Sequence, residues 1–232
     1  MQKEIHKAED RGKSELGWLH SRFSFSFADY YNQNRMGFGK LRVLNDDIIE
    51  PGKGFGAHQH ANMEIVTIVT EGELEHKDSI GVKEVIKEKD VQVMSAGKGI
   101  THSEFNHSND KQVKLFQIWI ETKKHNINPR HDTKSYNLTK NKLIPVVSGT
   151  KEEGILFINQ NAKIFLGNFK NRQKIDYKIS TSNGVFIFVI EGSAHVEGES
   201  LGRRDGIAIS DTEQIKLEAG NNSYIMAIET PI

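Results

Sequence analysis

The chain contains no cysteine. Disulfide bonds, thiolate catalysis and cysteine-ligated zinc or iron–sulfur centres are therefore excluded. It also lacks an excess of either charge: Lys plus Arg count 31, Asp plus Glu count 31, and the formal net charge is zero. Composition thus gives no support to a nucleic-acid or acidic-membrane partner. No window approaches the ~18 apolar residues of a membrane span. The opening "MQKEIHKAEDRGKSELG" is polar and charged, with no apolar signal-peptide segment. The expectation is a soluble, cytoplasmic protein. Helical periodicity is missing too: no long stretch repeats apolar residues at i, i+3, i+4 and i+7.

Short strand-like runs separated by Gly, Asn and Asp take its place. They are "LRVL" (41–44), "EIVTIVT" (64–70), "VQVM" (91–94), "KLFQIWI" (114–120), "KIFLGNF" (163–169), "VFIFVI" (185–190), "IAIS" (207–210), "QIKLE" (214–218) and "YIMAIE" (224–229). Many short strands with tight turns predict an all-β sandwich or barrel. "FADYYNQNR" (27–35) has room for one helical turn. The polar, aperiodic stretch 121–141, which contains Pro129, predicts a linker. The expected organisation is an N-terminal domain over 1–121, a linker over 122–141 and a C-terminal domain over 142–232.

The two halves echo each other. "IVTIVTEGELEH" (65–76) aligns with "VFIFVIEGSAHV" (185–196), with Glu71-Gly72 matching Glu191-Gly192. "DVQVMSAG" (90–97) aligns with "DGIAISDT" (205–212). The shared pattern predicts a duplicated domain.

"GKGFGAHQHANMEI" (52–65) places His58 and His60 one residue apart after a glycine run. On a strand, i and i+2 project to the same side. A second pair at that spacing, His102 and Glu104, follows glycines in "AGKGITHSEFN" (96–106). If the two strands face one interior, three imidazoles and one carboxylate converge. That donor set suits a divalent first-row ion: Fe, Mn, Ni, Co, Cu or Zn. Counting the same offsets in the second half lands on Lys178, Ser180, Leu217 and Ala219, none a good ligand. One metal per chain is expected. His76 and His107 are expected at the surface, and Asp46-Asp47 in a turn.

At these residues the chain resembles the pirin family of the cupin superfamily. Gly52 to His60 is similar to the first cupin motif, with Glu64 at the expected spacing and Gly72 one residue late. Gly99 to Asn106 is similar to the second, with Gly97 where a proline is usual. The pirin likeness runs from "LGWLHSRFSFSF" through "EGELEHKDS" and again over "VMSAGKGITHSE". The chain departs from the family's His-Pro-His-Arg-Asp, having Gln59, Ala61 and Asn62. Phe23 or Ser24 stands where a histidine usually precedes "FSF".

The resemblance implies two jelly-roll-like cupin barrels packed face to face. It implies iron(II) held by His58, His60, His102 and Glu104 of the first, and it places Glu64 outside the ligand set. It further implies quercetin 2,3-dioxygenase activity on a flavonol and O₂. Glu104 is the candidate base for the 3-hydroxyl proton. Met36, Phe38, Met63 and Phe116 are candidate pocket residues. The family is also described as regulatory, so the alternative is a non-enzymatic, redox-sensing metal protein that binds a protein partner.

Overall fold

β-Branched and aromatic residues dominate the runs named above, and each of the nine runs lies within a strand of the computed structural model. The structure describes residues 1–138 and 141–232. The helical content among them is one three-residue 3₁₀ turn, Ala8–Asp10. Residues 27–35 form turns and isolated bridges in place of the expected helical turn.

Four sheets build two sandwiches. In the first, a seven-stranded sheet runs Arg130–Ser135, Asp90–Ser95, Met63–Glu71, Val113–Glu121, Leu41–Ile49, Leu19–Phe23 and Gly12–Glu15. It faces a four-stranded sheet of Gly54–His60, Ile100–Asn106, Glu73–Asp78 and Lys83–Lys87. The second sandwich repeats the plan. Gln2–His6, Gly206–Ser210, Asn183–Glu191, Ser223–Pro231, Lys163–Phe169, Ile144–Ser148 and Leu156–Phe157 make its large sheet. Gln173–Lys178, Gln214–Ala219, Ala194–Val196 and Glu199–Leu201 make the small one. The five central strands of each large sheet and the four strands of each small sheet follow the same order in both halves, so the duplication seen in the sequence is a duplication of core topology, with the edge strands differing. The large and small sheets remain separate ladders, so each domain is a flattened cupin sandwich and not a closed barrel.

Two strands cross the expected boundaries. Gln2–His6 pairs with Gly206–Ser210 at the edge of the second domain's sheet. Arg130–Ser135, inside the expected linker, pairs with Asp90–Ser95 at the edge of the first. Each covers an edge strand that would otherwise expose unpaired backbone groups. Thr139 and Lys140 of that linker lie outside the described residues.

The large sheets pack back to back. Leu44, Val66, Ile68, Phe116, Ile118 and Ile120 of the first share one buried cluster with Phe186, Phe188, Ile190, Met226 and Ile228 of the second. The other face of the first large sheet closes over the small sheet, and that interior holds the site.

Candidate metal centre

Strand pairing explains how two distant sequence segments meet. Ile100–Asn106 runs antiparallel to Gly54–His60, with His102 directly opposite His58. Strand alternation then sends His60 inward beside His58, and Glu104 inward beside His102. The ring centroids of His58 and His60 are 4.9 Å apart, those of His58 and His102 4.4 Å, and those of His60 and His102 5.0 Å. Of the residues that replace the usual family ones, Gln59 is exposed on the opposite face of the strand and Ala61 is exposed just past its end. Asn62 turns away at positive φ, and its side-chain oxygen accepts the backbone N–H of Asn126 at 2.8 Å.

Donor atoms fall into two overlapping groups: His58, His60 and His102, and His76, His102 and Glu104. Within each group the ligand atoms lie within 4.8 Å of one another, and His102 belongs to both. His102 is 3% exposed, yet neither ring nitrogen has a hydrogen-bond partner among the described residues. A buried imidazole with both nitrogens unpaired is costly unless another group uses them. The His58 ring donates from Nδ1 to the carbonyl of Gly56 at 2.8 Å, which leaves Nε2 free as a lone-pair donor. Burial lowers the His102 pKa to about 2, with the neighbouring histidines adding to the effect. Burial and His58 lower that of His60 to about 4. Both are neutral at physiological pH, the form that ligates a cation.

The Glu104 carboxylate is fully enclosed, and burial pushes its pKa up to about 7 against the opposing pull of Gln117. Gln117 Nε2 donates to both carboxylate oxygens at 2.9 Å. His76, a member of the second donor group, is buried and not at the surface as expected: its Nε2 lies 3.2 Å from Asp78 Oδ2, and its ring is 5.3 Å from His102. The cue was present in "ELEHKD", where Leu74, His76 and Asp78 alternate inward.

A cavity of about 520 Å³ opens at these residues. Its wall includes His58, His60, His102 and Glu104, with Trp18, Phe23, Phe27, Phe55 and Trp119 as aromatic surfaces. Trp18 meets Phe55 edge-on at 5.4 Å, and Phe27 meets Trp119 at 5.3 Å. None of Met36, Phe38, Met63 and Phe116 lines it. Met36 is 44% exposed. Phe38 packs on the cluster between the domains, Phe116 is buried within it, and Met63 packs beside Ile65 and Met94. The physical reason is alternation: on Val113–Glu121, Phe116 faces the other domain while Gln117 and Trp119 face the cavity. Glu64 follows the same rule. It points to the domain interface and accepts from Ser95 Oγ at 2.6 Å and Asn159 Nδ2 at 3.3 Å, so it stands apart from the histidines.

In the second domain the equivalent interior is mainly apolar, and its buried carboxylate, Glu229, accepts from Tyr177 Oη at 2.7 Å. Tyr177, Ile179, Leu217 and Ala219 sit in one buried cluster. Lys178 and Ser180 are exposed, so counting from the Glu-Gly turn runs one residue out of register on that strand. Both candidate donor groups come from the first domain.

Two cupin sandwiches back to back, one carrying inward-facing histidines and a carboxylate and the other filled mainly with hydrocarbon, define a bicupin whose candidate metal centre, among the described residues, lies in the first domain. The Pirin family model matches residues 4–120, a quercetinase C-terminal cupin model matches residues 145–230, and the chain belongs to the pirin family. It is 38% identical over 227 residues to quercetin 2,3-dioxygenase of Escherichia coli K12, covering 98% of each chain. It is 34% identical to a pirin-like protein of Caulobacter vibrioides, covering 94% of this chain and 95% of that one. The crystal structure of the bacterial pirin YhhW from Escherichia coli in complex with nickel(II) superposes with a TM-score of 0.95 at 37% identity over 99% of both chains.

Proposed function

We propose that this protein is a metal-dependent dioxygenase that opens the central ring of flavonols such as quercetin. The observation that carries the proposal is the coincidence of the donor groups with a cavity of about 520 Å³ walled by aromatic rings. Its volume falls within the ~300–1,000 Å³ typical of small-molecule sites. An enclosed ion beneath a flat apolar patch, as a regulatory surface would have it, is not what these residues form. The relative named quercetin 2,3-dioxygenase supports the substrate class.

His58, His60 and His102 would hold one divalent transition metal, with Glu104 as the fourth ligand on the adjoining position. The unpaired nitrogens of His102 and the free Nε2 of His58 fit such an ion. We assign iron(II) as the resident metal; nickel(II) bound by YhhW supports a site open to several first-row ions. When bound, the ion supplies Lewis-acid polarisation of an oxygen ligand and a redox route to O₂.

The chain's own residues do the rest. Glu104, a buried carboxylate facing the cavity beside the three imidazoles, takes the proton of the flavonol 3-hydroxyl and so makes the ring electron-rich. Gln117 holds both carboxylate oxygens and fixes the direction from which the proton is accepted. Trp119, Phe27 and Phe23 present flat surfaces to the substrate rings, and Trp18 with Phe55 narrows the opening and excludes water.

The test is O₂ uptake with carbon monoxide release on a flavonol panel, using protein whose metal has been measured after purification without added ions. We expect about one metal per chain, and turnover that Glu104→Gln reduces ~10²–10⁴-fold while most of the metal is kept. Full metal occupancy without O₂ uptake on any flavonol would overturn the dioxygenase and favour a regulatory role.

A further inference from the structure

The cavity has a polar strip that the reaction uses only at Gln117 Nε2, the donor to Glu104. Ser21, Asn45, Asp47 and Gln117 all line it, opposite the ligand strands. Ladder registers place them in two adjacent rows: Ser21 opposite Asp47, and Gln117 opposite Asn45. Each of the four is more than nine-tenths buried. Ser21 Oγ donates to Asp47 Oδ1, the one side-chain hydrogen bond this carboxyl makes among the described residues. Asn45 Oδ1 and Gln117 Oε1 have no hydrogen-bond partner among the described residues.

The unmet groups are of one kind. The amide oxygens of Asn45 and Gln117 are buried, unpartnered acceptors, and beside them Asp47 makes one side-chain hydrogen bond among the described residues, to Ser21, which leaves its second oxygen for a ligand. Buried acceptors without donors cost ~1–3 kcal/mol each. A ligand that repays this must bring several O–H or N–H donors on a rigid frame. Asn45 and Asp47, two residues apart on one strand, are spaced roughly 7 Å, the scale of one substituted aromatic ring. The aromatic walls require the ligand itself to be flat and apolar between those donors. A polyhydroxylated aromatic meets both demands.

Resting on the flavonol reading, we propose that Asp47, with Asn45 beside it and Ser21 positioning it, is a specificity-determining subsite for ring hydroxyls remote from the 3-hydroxyl handled by Glu104. The site then prefers highly hydroxylated flavonols over sparsely hydroxylated ones of the same skeleton, because only the former satisfy the strip.

The experiment compares quercetin with 3-hydroxyflavone, which keeps the reacting hydroxyl and lacks the others. Metal-loaded full-length protein is assayed for O₂ uptake, and anaerobic binding of each compound is followed by Trp fluorescence quenching. The wild type should favour quercetin. Asp47→Leu should reduce the ratio of kcat/KM values, quercetin over 3-hydroxyflavone, by ~10–100-fold. Asp47→Asn and Ser21→Ala, which preserve shape, should move the ratio in the same direction by less, and they carry the test if the Leu variant does not fold. A ratio unchanged in all three, or equal losses on both compounds, overturns the subsite. If the wild type binds quercetin selectively but consumes no O₂, the dioxygenase reading fails while the subsite stands on the binding ratio. If the wild type binds neither compound, both fall.

Discussion

His6 shows how far one residue's setting can depart from its sequence neighbourhood. It sits in a run of charged residues, yet it is 4% exposed and wedged edge-on between Phe25 and Phe186, at 5.6 and 5.1 Å. Burial, with a contribution from Arg35, lowers its pKa from 6.5 to about 4. The unfolded chain therefore takes up this proton at a higher pH than the folded one. The contribution to stability is full above pH 6.5 and is lost as pH falls toward 4. Between pH 7 and pH 5 the loss from this group alone is about 2 kcal/mol. Replacing it by a ring that cannot titrate, His6→Phe, should flatten the denaturant-measured stability over that window relative to wild type. An equally steep profile in the variant would place the pH dependence elsewhere.

Strand elements set the metal-site geometry through glycine at one position. A Cβ on Gly54 would sit 2.1 Å from the carbonyl oxygen of Glu104 and 2.5 Å from Cα of Phe105. Both are backbone atoms of the partner strand and cannot swing aside, so Gly54→Ala must push the two ligand-bearing strands apart. We expect loss of ~1–3 kcal/mol in stability, together with reduced metal content. Gly56→Ala, where a Cβ meets nothing within 4 Å, is the matched control and should change stability by less than ~0.5 kcal/mol. Equal metal content in the two variants would separate the strand contact from the site.

Much of this was legible in the sequence because spacing of two on a strand is a statement about faces. It located His58, His60, His102 and Glu104 on one interior. What it did not reveal was which face each residue of a doubly buried strand would take. Leu41–Ile49 and Val113–Glu121 are covered on both sides, so hydrophobicity does not alternate along them and gives no cue. Phe116 was therefore expected in the pocket and lies between the domains. Asp46-Asp47 was expected in a turn and lies mid-strand. The crossing strand Gln2–His6 was invisible because its outward residues are charged and its partner is 200 residues away.

The same pair of aspartates links the site to the whole molecule. Alternation sends Asp47 into the cavity and Asp46 to the opposite face, where the second domain packs. There Asp46 Oδ2 lies 3.1 Å from both Arg11 Nη1 and Arg204 Nε. Arg204, from the second domain, lies over the Phe116 ring at 5.0 Å, and Arg11 lies over Phe188 at 5.8 Å. Asp46 thus faces two largely buried guanidinium groups on a mainly hydrocarbon boundary, and Glu191 Oε1 adds a weaker contact to Arg204 Nη2 at 3.7 Å. Burial works against the charge on both arginines, and Asp46 is the strongest group opposing it. Removing a partner from such an arrangement leaves charge uncompensated in a low-dielectric setting, which costs ~3–5 kcal/mol. We expect Asp46→Ala to lower stability by that order. Because one apolar cluster is shared by both large sheets, the domains should still unfold in a single transition. The check is thermal unfolding followed by two probes: near-ultraviolet circular dichroism, dominated by Trp18 and Trp119 of the first domain, and the amide signal of both domains. Coincident curves shifted together would confirm that the interface holds the cavity wall in place. A first-domain transition separating from the second, or a shift below ~1 kcal/mol, would show that the cupin carrying the site stands without its partner.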